Sequence, residues 1–465
     1  MSDPAARRSR RRQKALGIGL GFLAGCYVIA VVFLATLPTP VHLDFFGMWG
    51  WSRFLAQELP ARMYDYAALQ AYLWSLHPGY PPMPFAYPPT YMLLIRPLAS
   101  MSYPVAQTMW SGLTLMAYVA AFRGGSRPLT FVLALLAPAT AVNLLYGQNG
   151  FLTAALLVGG MRAAPSRPIL GGILLGLLSY KAQFGLLVAV ALVAAEAWLA
   201  VLVAAVTVLA LVAASLLAFG ADPWITWFHT LPQFGAILYE ERARLYHMMP
   251  TALSNAMALG AGDRVAYAVQ GAVVLAAAVG VWFAFRRDRG RLAVAALAVG
   301  SVLASPYAFL YDLTLVGAAI ALLSTDPRVK LSVPEIAALV AALLLPAGML
   351  FNVVPPIATV VNGAVFGIIL FHIRRNGAEQ RVSTDQPASA RSSASTATAT
   401  CSAANGSGGR ILSTFAWGPS VPISTPCSRI RFLMRLASSG AGARLLPTIS
   451  TPIISPQPRT SPIWS

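Results

Sequence analysis

The chain has 465 residues, of which 57% are hydrophobic and 10% charged, with a mean hydropathy of +0.66. That balance excludes a soluble globular protein of this size and points to an all-α polytopic membrane protein. The net charge of +18 does not imply a nucleic-acid partner. Its basic residues fall in short clusters between apolar stretches, which is the pattern of membrane topology signals.

In chain order, residues 1–14 form a basic N-terminus with Arg7, Arg8, Arg10, Arg11, Arg12 and Lys14. The apolar stretch Leu16–Leu37 follows without a small-residue cleavage site and reads as an uncleaved anchor. A bilayer core of about 30 Å takes about 20 apolar residues per helix. Spans are predicted near 15–37, 97–121, 128–145, 149–161, 168–181, 183–196, 198–219, 265–285, 291–304, 307–323, 332–351 and 356–373. Several are short and must tilt or thin the bilayer. The run 168–219 reads as three short helices or as one long and one broken.

With the N-terminus placed in the cytoplasm, the clusters Arg123/Arg127, Arg162/Arg167, Arg286/Arg287/Arg289/Arg291, Arg328/Lys330 and Arg374/Arg375 all fall inside. Three crossings between Arg167 and Ala221 keep this parity. The expectation is a multi-pass protein of about 10–12 spans in a bacterial inner (plasma) membrane, with both termini cytoplasmic. It leaves segments 38–96 and 220–264 on the periplasmic (outer) face, where loops are expected to carry function.

Segment 38–96 places Met48, Trp51, Leu55 and Leu59 on one helical face, with Arg53 and Gln57 opposite. Leu69, Leu73 and Leu76 repeat the pattern, which predicts interfacial helices. Prolines 78, 81, 82, 84, 88 and 89 then break the helix. Residues 376–465 turn to Ser, Thr, Ala and Pro and predict a disordered low-complexity tail. Cys26, Cys401 and Cys427 form no framework, and no metal site is expected.

No soluble-enzyme motif is present. The candidates are isolated polar residues at outer helix ends. Asp44 follows the first span. A carboxylate there is costly near lipid and reads either as a general base or as a helix cap or partner for Arg53. Tyr87, in Phe85-Ala86-Tyr87-Pro88-Pro89, reads as part of a bend that starts a span or as a wall of a lipid or sugar groove. Gln148 and Asn149 follow Gly147, and Lys181 follows Ser179-Tyr180. Lys181 is the only lysine between Lys14 and Lys330, and either snorkels or meets an anion such as phosphate. His247 in the second outer segment reads as a solvated side chain, a phosphate ligand or a proton carrier. Asp312 lies inside a span and reads as a partner for a basic neighbour.

Taken in order, Asp44-Phe45, Pro60-Ala61-Arg62-Met63-Tyr64-Asp65, Phe85-Ala86-Tyr87-Pro88-Pro89, Gly147-Gln148-Asn149, Gly172–Gly176 leading to Lys181, and Ser305-Pro306-Tyr307 with Asp312 resemble glycosyltransferase family 87. That family comprises polyprenyl-phosphate-sugar-dependent, alpha-1,2-mannosyltransferase-like membrane proteins. The resemblance covers residues 15–375 and implies a GT-C-type bundle. It implies an inverting hexosyl transfer, with mannose the expected sugar, from a polyprenyl-phosphate sugar donor to a lipid or glycan acceptor. Asp44 would be the catalytic base, with no cofactor and no metal. Lys181, His247, Arg53 and Arg62 are the candidates for the donor phosphate, with Tyr87, Gln148, Asn149 and Asp312 around the substrate. Two other classes stay open: a transporter or flippase of a lipid-linked saccharide, and a non-catalytic membrane assembly protein. A transporter is expected to show paired halves with matching helix breaks, and no such repeat is visible.

Overall fold

The computed structural model describes residues 44–123, 127–241, 245–350 and 356–385. The predicted first span, the basic N-terminus and most of the tail lie outside the described residues. The described chain is helical, with no strand among those residues. The helices are α1 (Asp44–Gln57), α2 (Tyr66–Leu76), α3 (Pro89–Ile95), α4 (Tyr103–Ala121), α5 (Pro128–Leu136), α6 (Pro138–Tyr146), α7 (Gly150–Ala163), α8 (Pro168–Leu177) and α9 (Ala182–Ala194). They continue as α10 (Trp198–Phe219), α11 (Asp222–Glu240), α12 (Ala252–Ala258), α13 (Asp263–Arg287), α14 (Arg291–Ala304), α15 (Thr314–Ser324), α16 (Val333–Leu350) and α17 (Ala358–Asp385). α17 runs ten residues past the predicted start of the tail at 376.

Fewer helices span a bilayer alone than the expected 10–12. By length and composition four do so among the described residues: Pro168–Ala194, Trp198–Phe219, Asp263–Arg287 and Ala358–Ala378. α5 and α6, bent by 56° at Ala137, make a fifth if read as one span. α14 and α15 are short and sheltered. Every residue of α14 from Leu292 to Ala304 is buried, so other helices, not lipid, surround its ends and no mismatch with the bilayer has to be met. Its small side chains let neighbours approach closely.

The run 168–219 forms one long helix, α10, and one broken helix, α8 and α9. Length alone makes Pro168–Ala194 one span, but a 3-10 turn at Leu178–Lys181 interrupts it. A Cβ on Gly172 would meet Val203 and the Ala200 carbonyl, and one on Gly176 would meet Thr207 and the Ala204 carbonyl. Both registers rise together, so α8 and α10 are parallel. α9 therefore runs back toward the start of α10.

The basic loops meet at one end of the bundle. The Arg162 guanidinium donates to the Ala121 carbonyl at 2.6 Å, Arg286 pairs with Glu196, and Arg328 bridges Asp288 (3.0 Å) and Asp326 (2.8 Å). Segments 44–100 and 222–255 gather at the other end, where Trp227 Nε1 donates to the Ala86 carbonyl at 3.1 Å.

The first of these segments is more than a layer of interfacial helices. Phe45, Met48, Trp51, Phe54 and Leu55 of α1 are buried, as expected of its apolar face, but so are Gly47, Gly50 and Ser52. α2 and the proline-rich stretch 80–88 cover it from outside. Leu59 is 73% exposed. The helix stops at Gln57 because Pro60 disfavours helical backbone at the residue before it, so Leu59 leaves the predicted face.

Candidate active site

The proline-rich stretch has few backbone donors and cannot pair with itself. Side chains from its neighbours hold its carbonyls instead. Trp51 Nε1 donates to Met83 O (3.2 Å), Tyr64 Oη to Tyr87 O (2.9 Å), and Gln70 Nε2 and Trp74 Nε1 both to Tyr80 O (3.1 and 2.8 Å). This fixes the Tyr87 ring, which stacks on Tyr91 at 4.1 Å between centroids. Tyr91 in turn stacks on Tyr180 at 5.3 Å.

The turn at 147–149 meets this aromatic stack. α6 ends at Gly147 with φ +63°, a left-handed conformation that favours glycine. A Cβ there would lie 2.6 Å from the Phe45 Cβ, so only glycine lets the turn reach the start of α1. Gln148 Nε2 then donates to Asp44 Oδ2 at 2.7 Å. Asn149 Nδ2 donates to the Tyr87 hydroxyl at 2.8 Å. Asn149 Oδ1 and both amide atoms of Asn143 are buried without a protein partner.

Asp44 and Asp312 are the two carboxylates of this cluster, and their settings differ. Asp312 is 2% exposed. Its Oδ1 takes Lys181 Nζ at 2.5 Å and its Oδ2 takes the Phe309 N–H at 3.1 Å. Lys181 also sits over the rings of Phe184 and Tyr311. Asp44 is half-buried and takes a neutral donor, Gln148. The Tyr80 hydroxyl accepts the Gly47 N–H at 2.9 Å. Burial, followed by the Asp44 charge, pushes the Tyr80 phenol well above its ordinary range, so it stays protonated.

The structure thus brings together Asp44, Tyr87, Gln148, Asn149, Lys181 and Asp312. His247 lies in a 3-10 turn beside Met248, which packs against Tyr311. The two arginines are elsewhere. Arg53 is nine residues from Asp44 on α1, about 13 Å along the axis and on the opposite face; it lies over the Trp49 ring. Arg62 is exposed and pairs with Glu58 at 2.5 Å. The reading of Lys181 as a snorkelling side chain gives way to a buried ion pair, and the partner foreseen for Asp312 is Lys181.

Sequence reasoning did not single out Tyr80, Tyr91, Asn143 or Tyr180. Tyr91, Asn143 and Tyr180 sit inside apolar runs, where they read as core. One signal was available for Asn143: it lies on α6 one turn before Gly147. A cleft flanks the cluster between Pro84-Phe85-Ala86 and α11, lined also by Tyr64, Trp227 and Phe234. Phe234 abuts the Tyr307 ring at 5.3 Å between centroids.

Residues 85–306, just under half of the chain, match the family model described as glycosyltransferase family 87. The match spans the Phe85–Pro89 bend, the Gly147–Asn149 turn, Lys181 and Ser305-Pro306, and it indicates a glycosyltransferase. No curated protein and no solved structure matches the chain.

Proposed function

We propose that this glycosyltransferase family 87 chain moves a hexose, mannose in the first instance, from a polyprenyl-phosphate sugar to a lipid or glycan acceptor, with inversion, on the periplasmic face of the bacterial inner membrane. Asp44 is the general base. It removes the proton of the acceptor hydroxyl as that oxygen attacks the anomeric carbon, and polyprenyl phosphate leaves with the bonding pair.

The observation that carries this reading is the contrast between the two carboxylates. Asp312 is sealed and neutralised by Lys181, so it cannot exchange a proton with an entering hydroxyl at little cost. Asp44 is half-buried, within reach of an entering hydroxyl, and accepts from the Gln148 amide. In the same reading the leaving phosphate gains charge and requires a nearby donor. Of the four candidates, Arg53 and Arg62 face away and Lys181 is paired with Asp312, so His247 is assigned this role. Tyr87 and Asn149, hydrogen-bonded to each other, are the groups assigned to the sugar hydroxyls. No metal or cofactor is assigned a step.

The test is transfer of labelled sugar from a polyprenyl-phosphate donor by the purified full chain in detergent or nanodiscs, with Asp44→Asn beside wild type. Loss of about 10²- to 10⁴-fold is expected for a general base. Full activity in Asp44→Asn removes the base assignment. Donor translocation in liposomes without transfer supports a flippase instead.

A further inference from the structure

We propose that Gln148 is a positioning residue that favours the ionised form of Asp44 and holds it in one rotamer. This rests on the reading of Asp44 as base and adds a role for its neighbour.

The amide orientation follows from its own contacts. The Asn149 backbone N–H donates to Gln148 Oε1 at 3.3 Å. An N–H needs an acceptor, so the oxygen is fixed on that side and the NH₂ must face Asp44. Gln148 is 7% exposed, so water cannot readily replace it. Its backbone is set by the left-handed Gly147, pressed against Phe45 at the first turn of α1. Asp44 therefore accepts a donor that cannot flip, from a residue 104 positions away in sequence. A donor to a carboxylate favours its charged form, which is the form a base needs.

Several phenols surround Asp44 among the described residues. Tyr80, Tyr146, Tyr307 and Tyr311 lie within its electrostatic reach. The elements packed on α1 carry Arg62 (paired with Glu58), Tyr72, Tyr91, Arg96 and Tyr103, and the Lys181–Asp312 pair lies beyond Tyr311. His77, against Phe46, His229 and His247 are the imidazoles described at this end, and His42 precedes Asp44 by two residues in sequence. None of these differs between wild type and a Gln148 variant, so a difference in pH profile between the two reports the amide.

The experiment is single-turnover transfer from the polyprenyl-phosphate donor across pH 4–9, by the full chain in nanodiscs. Gln148→Met keeps the volume and removes the donor; Gln148→Glu keeps the shape and adds a like charge. Losing a hydrogen bond to an ionised group corresponds to about tenfold or more. The rate at pH 7 should fall by about that factor in Gln148→Met. The acidic limb should move up by about one pH unit, and further in Gln148→Glu, with donor KM unchanged. A slower rate with an unmoved limb in both variants means a merely structural role and overturns the proposal. A raised donor KM with an unmoved limb means that Gln148 touches substrate, and also overturns it. Either result leaves Asp44 as base intact; activity retained in Asp44→Asn removes both.

Discussion

Removing one member of the Lys181–Asp312 pair exposes what holds the centre of the bundle. The two side chains are 4% and 3% exposed, and Nζ lies 2.5 Å from Oδ1. In Lys181→Met the Asp312 carboxylate keeps only the Phe309 N–H as a partner among the described residues. An uncompensated buried charge costs about 3–5 kcal/mol. Asp312→Asn leaves the ammonium over two rings, a partial substitute for its counter-ion, so it should cost somewhat less. The double variant Lys181→Met/Asp312→Asn buries no charge and should return to within about 1–2 kcal/mol of wild type. Thermal unfolding of the four proteins in one detergent reads the cycle. The expected loss is about 5–10 °C for the worse single variant and a large favourable coupling between the two. A Lys181→Met protein as stable as wild type would refute the argument, because a buried lone carboxylate cannot be neutral in cost. The same double variant separates packing from chemistry. If it is stable and its donor affinity is unchanged, Lys181 does not meet the phosphate.

Gly147→Ala forces a Cβ to within 2.6 Å of the Phe45 Cβ at a left-handed backbone. It should cost about 1–2 kcal/mol for the backbone alone and lower transfer by more than its effect on unfolding explains, measured as rate per folded protein. Gly176→Leu should destabilise by at least about 1–3 kcal/mol, because even its Cβ would stand 2.5 Å from the Thr207 Cβ. Gly185→Ala, with nothing within 4 Å of its Cβ, should be neutral or slightly stabilising in the same unfolding assay.

The sequence is a good guide here to which polar residues gather and a poor one to what touches what. Asp44, Tyr87, Gln148 and Asn149 stand out because each interrupts an apolar or helical pattern at a junction. Their partners are hidden because contact is long-range: 131 residues separate Lys181 from Asp312. Each alone reads as a costly ion, and only the fold turns two costs into one pair. Periodicity likewise gives one face of α1 and is silent on the other, which a proline-rich stretch with no period of its own covers. Helix length misleads in the opposite direction. Apolar runs are counted against a bilayer, but α14 and α15 are enclosed by protein and answer to their neighbours.

The proline-rich stretch also couples separate parts of the molecule. Trp227 of α11 hangs on the Ala86 carbonyl, and Tyr64 hangs on the carbonyl of the very next residue, Tyr87, whose ring reaches Asn149. These are adjacent links of a chain that is held only from outside. A shift of α11 along the surface therefore pulls directly on the phenol that meets Asn149. The helix that walls the cleft and the Tyr87 ring act as two ends of one short lever.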